Sequence, residues 1–393
     1  MPTLRIDRDI QIPDSLRVAR ARSAPQFGPR VLFFSGGSAL NGISRRLKRL
    51  THNSVHLVTP FDSGGSSRIL REAFDMPAVG DLRSRLMALA DESVLGQPEI
   101  YALFTHRLPA AGDATELHHE IMRLRSGVHP LLAAIAPPMQ QLIRAELSAF
   151  FDRVPDRFDY RNASIGNLII AGGYLARGRG LEQALFMMSK MVDVRGTVRA
   201  LVDDNLHMGV ELEDGRRILS QRMLSGKENP PIDSPVTRLF LTDGTAELPP
   251  AQVPLPERNH ALIAGADVIC YPPGSLYSSV AVNLVPAGVG RSVAGRTVAK
   301  VYLPALGHDP EAFGHDLGDQ IDALLRPLRQ DAGEDLPAAR FLTHVLCDVS
   351  VPPATCAEAS ERHGIPVIRL PLARRDGLKY DPETVAEILV SLG

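Results

Sequence analysis

The sequence predicts an α/β protein: a Rossmann-like, open, mostly parallel sheet with helices on both faces, a helical insertion and a β-hairpin. Three observations lead there. Short unbroken apolar runs such as Val31-Leu32-Phe33-Phe34 are what strands buried on both faces look like. Segments with apolar residues at helical spacing alternate with these runs, the order that gives parallel sheets. Turns rich in small residues join run to helix at several places.

In chain order, residues 1–29 read as an N-terminal arm with Arg17, Arg20 and Arg22 in its second half, and 30–393 as a single α/β domain. The first strand is 31–34. The turn Ser35-Gly36-Gly37-Ser38 leads into a helix with Ile43, Leu47 and Leu50 on one face and Arg45, Arg46, Lys48 and Arg49 on the other. The second strand is 55–59, and a second glycine-rich turn spans 61–67. A helix at 82–90 precedes a helical insertion at about 93–160 with Pro-marked breaks, and helices follow around 168–175 and 181–191. Residues 197–219 read as a hairpin turning at Glu213-Asp214-Gly215. Further strands are expected at 236–241, 267–271, 298–303, 341–347 and 366–369, and helices at 277–286, 314–326 and 382–391.

Charge is balanced, with 43 basic and 45 acidic residues, so an anion site must be local and a general nucleic-acid binder is not expected. Three scattered cysteines make neither a disulfide scaffold nor a Cys-rich zinc site, and point to a reducing compartment. No apolar stretch resembles a signal peptide or a membrane span. The protein is therefore expected to be cytoplasmic, with no membrane partner.

Familiar motifs fail at decisive positions. Ile43 stands where a P-loop needs Lys, and Leu40 stands where a serine-hydrolase elbow needs Gly. His119-Glu120 does not open a zincin motif, because Arg123 holds the second histidine position. What survives is physical. Glycine turns between a buried strand and a helix expose N–H groups to anions, and ligands sit at the carboxyl ends of strands in such sheets. The first turn offers Gly36, Gly37 and Ser38, with a plain tight turn as the other reading. The second, Asp62-Ser63-Gly64-Gly65-Ser66-Ser67, adds a carboxylate and hydroxyls, beyond what a helix cap alone requires. The third, Pro273-Gly274-Ser275-Leu276-Tyr277, repeats the pattern after another buried strand.

These turns, with Pro77-Ala78-Val79-Gly80-Asp81-Leu82-Arg83, Gly166-Asn167-Leu168 and the Ser278-Ser279…Asn283 continuation of the third turn, resemble the CofD-like superfamily in family order from about residue 30 to 305. The superfamily holds a phospholactate transferase branch and the gluconeogenesis-factor branch, and the motifs stand closer to the second. This chain is read as a divergent, CofD-related branch. The resemblance implies a ligand or phosphate site from Gly36, Gly37, Ser38, Ser63, Gly64, Gly65, Ser66, Ser67, Gly80, Arg83, Asn167, Pro273, Gly274, Ser275, Leu276, Tyr277 and Asn283. It implies Mg²⁺ on Asp62 and Asp81, although Ser63 replaces the second acid of the family's Asp-Asp pair. No catalytic residue is assigned.

Two functions remain open. One is a transferase moving a phosphorus-containing group from a nucleotide diphosphate to a hydroxyl acceptor with Mg²⁺. The other is a non-catalytic regulatory protein that binds a UDP-sugar. The expected partners are a nucleotide diphosphate or nucleotide sugar, with a homodimer admitted.

Overall fold

Chain alternation of buried strand and helix dictates the architecture. The computed structural model describes residues 9–92, 97–111, 113–224, 226 and 229–393, and of Ser66 only the backbone. The first eight residues of the arm, the start of the insertion at 93–96 and the Ser66 side chain therefore lie outside the described residues.

α1 (Ser15–Ser23) is capped by Asp14, whose side chain accepts from Leu16 N and Arg17 N. β1 (Val31–Ser35), α2 (Asn41–Leu47) and β2 (Val55–Val58) follow as a βαβ unit. A long helical crossover then runs through α3 (Gly65–Phe74), α4 (Gly80–Leu89), α5 (Pro98–Thr105), α6 (Ala114–Ser126), α7 (Pro130–Ala133), α8 (Pro137–Phe151), α9 (Ile165–Ala176) and α10 (Leu181–Met191) to β3 (Thr197–Ala200). Next come β4 (His207–Leu212), β5 (Arg217–Ile218), α11 (Gln221–Leu224), β6 (Val236–Thr242), β7 (Glu247–Leu248), α12 (Glu257–Ala264) and β8 (Val268–Tyr271). α13 (Val289–Ala294), β9 (Ala299–Tyr302), α14 (Leu317–Ala332), β10 (His344–Asp348), α15 (Pro353–His363), β11 (Val367–Leu370) and α16 (Pro382–Ser391) complete the order.

Seven strands form one parallel sheet in the order β11-β10-β9-β8-β1-β2-β3. β1, β2 and β8 are buried throughout, His56 of β2 included. Strand alternation divides the core. Leu32, Phe34, Ile269 and Tyr271 face one side with α12, α13 and α14, while Val31, Phe33, Val268 and Cys270 face α2 and α16 on the other. A third apolar cluster joins α3 to α10 with β3. Among the described residues, no helix is long and apolar enough to cross a membrane.

Strand order decides where a ligand can sit. The chain lays down β1, β2 and β3 in one direction, then returns to place β8 on the other side of β1. The order therefore reverses between β1 and β8, and the turns leaving those two strands flank a crevice.

The structure changes three expectations. Residues 197–200 are not part of the hairpin: β3 pairs parallel with β2 at the sheet edge, and only β4 and β5 form the hairpin. An edge strand is buried on alternate residues, a pattern shared with a hairpin strand. β6 joins β4 in a small antiparallel sheet, order β5-β4-β6-β7, rather than the parallel one. Residues 277–286 are not a regular helix: Leu276–Val280 is a widened π turn and Ala281–Leu284 a 3₁₀ turn. Among the described residues, six α-helices, at 15–23, 65–74, 221–224, 257–264, 289–294 and 353–363, lie outside the helical segments read from the sequence.

α8 and α9 pack at very close range because Gly172 has no side chain. A Cβ there would overlap the carbonyl oxygen of Glu146 and lie 3.3 Å from Phe150 Cβ. Gly172→Ala gains about 1 kcal/mol of helix propensity, but the overlap is with backbone and cannot be relieved by a side-chain rotation. We expect a net loss of about 2 kcal/mol, read as a lower denaturant midpoint; an unchanged or raised midpoint would show that the helices separate freely.

Candidate functional site

Three turns at the carboxyl edge of the sheet meet at Gly36. A Cβ on Gly36 would overlap Thr59 Cγ2, which follows β2, and would sit 3.2 Å from Ser279 Cα in the turn after β8. Gly37 takes a left-handed conformation, φ 64°, that glycine adopts without strain. Its N–H donates to Asp81 Oδ2 at 2.6 Å. Arg85 supports the same turn from below. It is fully buried, donates to Ser44 Oγ at 2.8 Å and lies 3.4 Å from Gly37 O. Burial pushes the Arg85 guanidinium down to about 10, and the nearby Asp81 charge opposes that shift.

The second turn is built around Asp62. Its Oδ1 accepts from Gly64 N at 3.0 Å, and Oδ2 lies 3.7 Å from where a Gly80 Cβ would be. Arg71, itself buried, donates to Phe61 O and Asp62 O and reaches Asn205 and Leu206 O, which ties this turn to the segment entering β4. Ser63 is buried and faces α11: its N–H donates to Gln221 Oε1, and its Oγ accepts from Arg222 N. Gly64 and Gly65 open α3, which has no side-chain cap. Ser67 therefore belongs to the first turn of that helix, where its Oγ accepts from Gly80 N at 3.2 Å. Arg83 donates from Nε to Asn167 Oδ1 at 3.0 Å, so two separate sequence motifs meet as one pair. Burial lowers the Arg83 guanidinium to about 10, with Arg107 adding to the shift.

The third turn departs from a simple helix-start anion site. The N–H of Leu276 donates to Asp309 Oδ2 at 2.7 Å. Those of Tyr277 and Ser278 donate to Glu311 Oε2, and Ser278 Oγ donates to Glu311 Oε1. Two internal carboxylates thus hold the N–H groups just past Ser275. Tyr277 is buried, and its hydroxyl meets His315 Nε2 at 2.6 Å near Val236 O, beside the small sheet. Asn283 is buried and donates to Ser279 O. Pro273, Gly274 and Ser275 line a cleft of about 490 Å³ with Ser38, Ala39, His308, Asp309, Arg374, Lys379 and Tyr380.

The structure thus brings Ser38, Pro273, Gly274 and Ser275 to one cleft, while Gly36 and Gly37 pack against Ser279 and Asp81, and Gly80 against Asp62 and Ser67. It holds Tyr277, Leu276 and Asn283 in the packing behind. Arg85, Arg71, Asp309, Glu311, Arg374 and Lys379 were not assigned to the site from sequence. Arg374, Arg375 and Lys379 form a basic stretch after the last strand, but nothing local in it signals that Arg374 and Lys379 line the same cleft as Ser38 and Gly274. The basic face of α2 is used by the fold: Lys48 donates to Ala90 O, and Arg46 lies 3.5 Å from Glu383.

A divalent ion tests the donor set. Asp62, in the turn after β2, and Asp81, in the first turn of α4, carry hard oxygens of the kind Mg²⁺ takes, and one oxygen of each already accepts a backbone N–H. Ser63 adds no ligand there, because its hydroxyl is committed to α11.

The sequence model of the family described as "2-phospho-L-lactate transferase CofD" matches residues 31–379. Among curated proteins, the chain is 27% identical to the gluconeogenesis factor of Bacillus subtilis over 93% of this chain and 98% of that one. It is 28% identical to the gluconeogenesis factor of Halalkalibacterium halodurans over 75% of this chain and 72% of that one. A crystal structure of a UPF0052 family member from Bacillus halodurans superposes with a TM-score of 0.66 at 22% identity, covering 92% and 98% of the two chains. That likeness fixes the fold.

Burial and the Asp309 charge push the Glu311 carboxyl up to about 7. An acid with a raised folded pKa keeps a proton that the unfolded chain has released, so folding stability falls as pH rises from about 4.5 through about 7. Glu311→Gln keeps the two accepted N–H bonds and imitates the protonated acid. The variant should show a flatter dependence of thermal midpoint on pH across that window; an equal slope would remove Glu311 as its source.

Proposed function

This chain belongs to the family of the 2-phospho-L-lactate transferase CofD, and on that premise we propose that it binds a nucleotide diphosphate or nucleotide sugar in the crevice between β1 and β8. The observation that carries the reading is the reversal of strand order there, with two small-residue turns facing each other across it. The diphosphate lies over Gly36–Ser38 and Gly274–Ser275, where little side chain keeps it from the backbone. Arg374 and Lys379, which line the same cleft, would supply cationic donors, and such charge-assisted bonds favour phosphate. Mg²⁺ would be held by Asp62 and Asp81 together with phosphate oxygens, and would supply charge neutralisation.

On the transferase reading, an acceptor hydroxyl oxygen forms a bond to the transferred phosphorus. The bond from that phosphorus to the bridging oxygen breaks, the nucleoside phosphate leaves, and the hydroxyl proton passes to water. This chain's own residues position and stabilise charge, which suffices for much phosphoryl chemistry. Arg83, fixed by Asn167, is set to orient the ligand's distal group. The second reading is a non-catalytic nucleotide-sugar sensor like the gluconeogenesis factors. The engagement of Ser63 with α11, in place of a second acid beside Asp62, favours it.

A thermal-shift screen of GDP, UDP and UDP-sugars with and without Mg²⁺ tests the binding. A ligand present at a hundredfold its dissociation constant should add about 2.7 kcal/mol of stability. Lys379→Ala should weaken affinity for the best ligand about tenfold, the loss of one charge-assisted bond, while Arg375→Ala does not. Equal affinities by calorimetry would take the last loop out of the site. Asp62→Asn should abolish any Mg²⁺ enhancement of binding and leave the fold intact; unchanged metal dependence would remove Asp62 from the ligand set.

A further inference from the structure

Away from the cleft, His106, Glu120 and His129 come together from three separate elements of the helical crossover. His106 follows α5, Glu120 lies in α6, and His129 precedes α7. Among the described residues they form the one group of three metal-ligating side chains whose ligand atoms all lie within 4.8 Å of one another. We propose that this group is a binding site for Zn²⁺ or a similar divalent transition metal, and that the ion staples α5, α6 and α7 together.

The geometry supports ligation. Glu120 Oε1 lies 2.8 Å from His106 Nε2 and 3.4 Å from His129 Nε2. Ligands on a tetrahedral ion at about 2.0–2.1 Å stand about 3.3 Å apart. Metal entry therefore asks the shorter contact to open by about half an ångström, with the ligand atoms of the two histidines, which lie within 4.8 Å of each other, settling to the same spacing. Two imidazoles and one carboxylate form a donor set that Zn²⁺ accepts with water in the fourth place. The site is open on one side only: the His106 side chain is 35% exposed, against 15% for Glu120 and 7% for His129. That leaves an entry path and a place for water.

Metal binding has a local cost. His129 Nδ1 accepts from Leu131 N at 3.3 Å, so the neutral ring carries its proton on Nε2 and donates it toward Glu120. Ligation through Nε2 moves that proton to Nδ1 and gives up a long, weak cap. In exchange, one ion would hold three short segments drawn from α5, α6 and α7.

The staple reaches the rest of the molecule through the backbone. His106 O accepts from Ile165 N, the first residue of α9. A Cβ on Gly166 would lie 2.5 Å from Phe104 O and 2.8 Å from Arg83 Cδ, so the end of α5 is packed on the Arg83–Asn167 pair. An ion on His106 would therefore hold α5 against the start of α9. The site does not depend on the nucleotide reading.

The test uses the full chain, stripped with chelator and titrated with Zn²⁺ alone. Calorimetry and elemental analysis after dialysis should find one equivalent per chain, with a raised thermal midpoint. Co²⁺ should give visible absorption of tetrahedral character. His106→Ala and Glu120→Gln should each lose the bound equivalent while keeping the helical circular dichroism of the parent. His118→Ala, an exposed histidine on the same helix but outside the group, should keep it. No uptake, uptake unchanged in Glu120→Gln and His106→Ala, or equal loss in His118→Ala would overturn the assignment.

Discussion

The site depends on the missing side chain at Gly36. β1 is the central meeting point of the strand order, with β8 on one side and β2 on the other. The turns that leave these three strands can converge only if the one between them is thin. Thr59 lies against Gly36 from the β2 side, and Ser279 Cα approaches from the β8 side. Any Cβ at this position would drive the turns apart and widen the crevice that the topology creates. Gly37 extends the same logic, since its left-handed backbone turns its N–H toward Asp81.

Electrostatics then divides the turns into those committed to the fold and those open to a ligand. The N–H groups at 276–278 are satisfied by Asp309 and Glu311, carboxylates that burial drives toward protonation. An incoming anion would have to displace them, which is why the proposed contact surface is Gly274, Ser275 and the first turn. Buried arginines act as internal struts. Arg85 steadies the first turn and Arg71 the second, and each makes hydrogen bonds to backbone carbonyl or hydroxyl oxygen where a surface arginine would meet water. Their burial costs solvation, which hydrogen bonds to fixed groups offset.

The long crossover between β2 and β3 is more than an appendage. It carries α4, which brings Asp81, Arg83 and Arg85 under the glycine turns, and α9, which brings Asn167 to Arg83. Close helix packing at Gly166 and Gly172 makes this region dense, so changes at its outer helices can reach the site through α9.

The parallel sheet was legible because strands buried on both faces must be written as unbroken apolar runs. The strand at 31–34 came directly from that rule, those at 55–59, 267–271 and 298–303 from the alternation of strand, turn and helix, and the family membership from glycine, serine and aspartate at fixed places in the turns. Edge position was not legible: Thr197–Ala200 alternates as a hairpin strand would, and only pairing with β2 reveals its sheet. Nor could spacing show that Asp309 and Glu311 hold the third turn, that Arg85 packs under the first turn, or that Arg374 and Lys379 line the same cleft as Gly274. These are contacts between residues tens to hundreds of positions apart. Local sequence fixes backbone preference and burial, while such long-range pairs are set by strand order and by how closely neighbouring turns can approach.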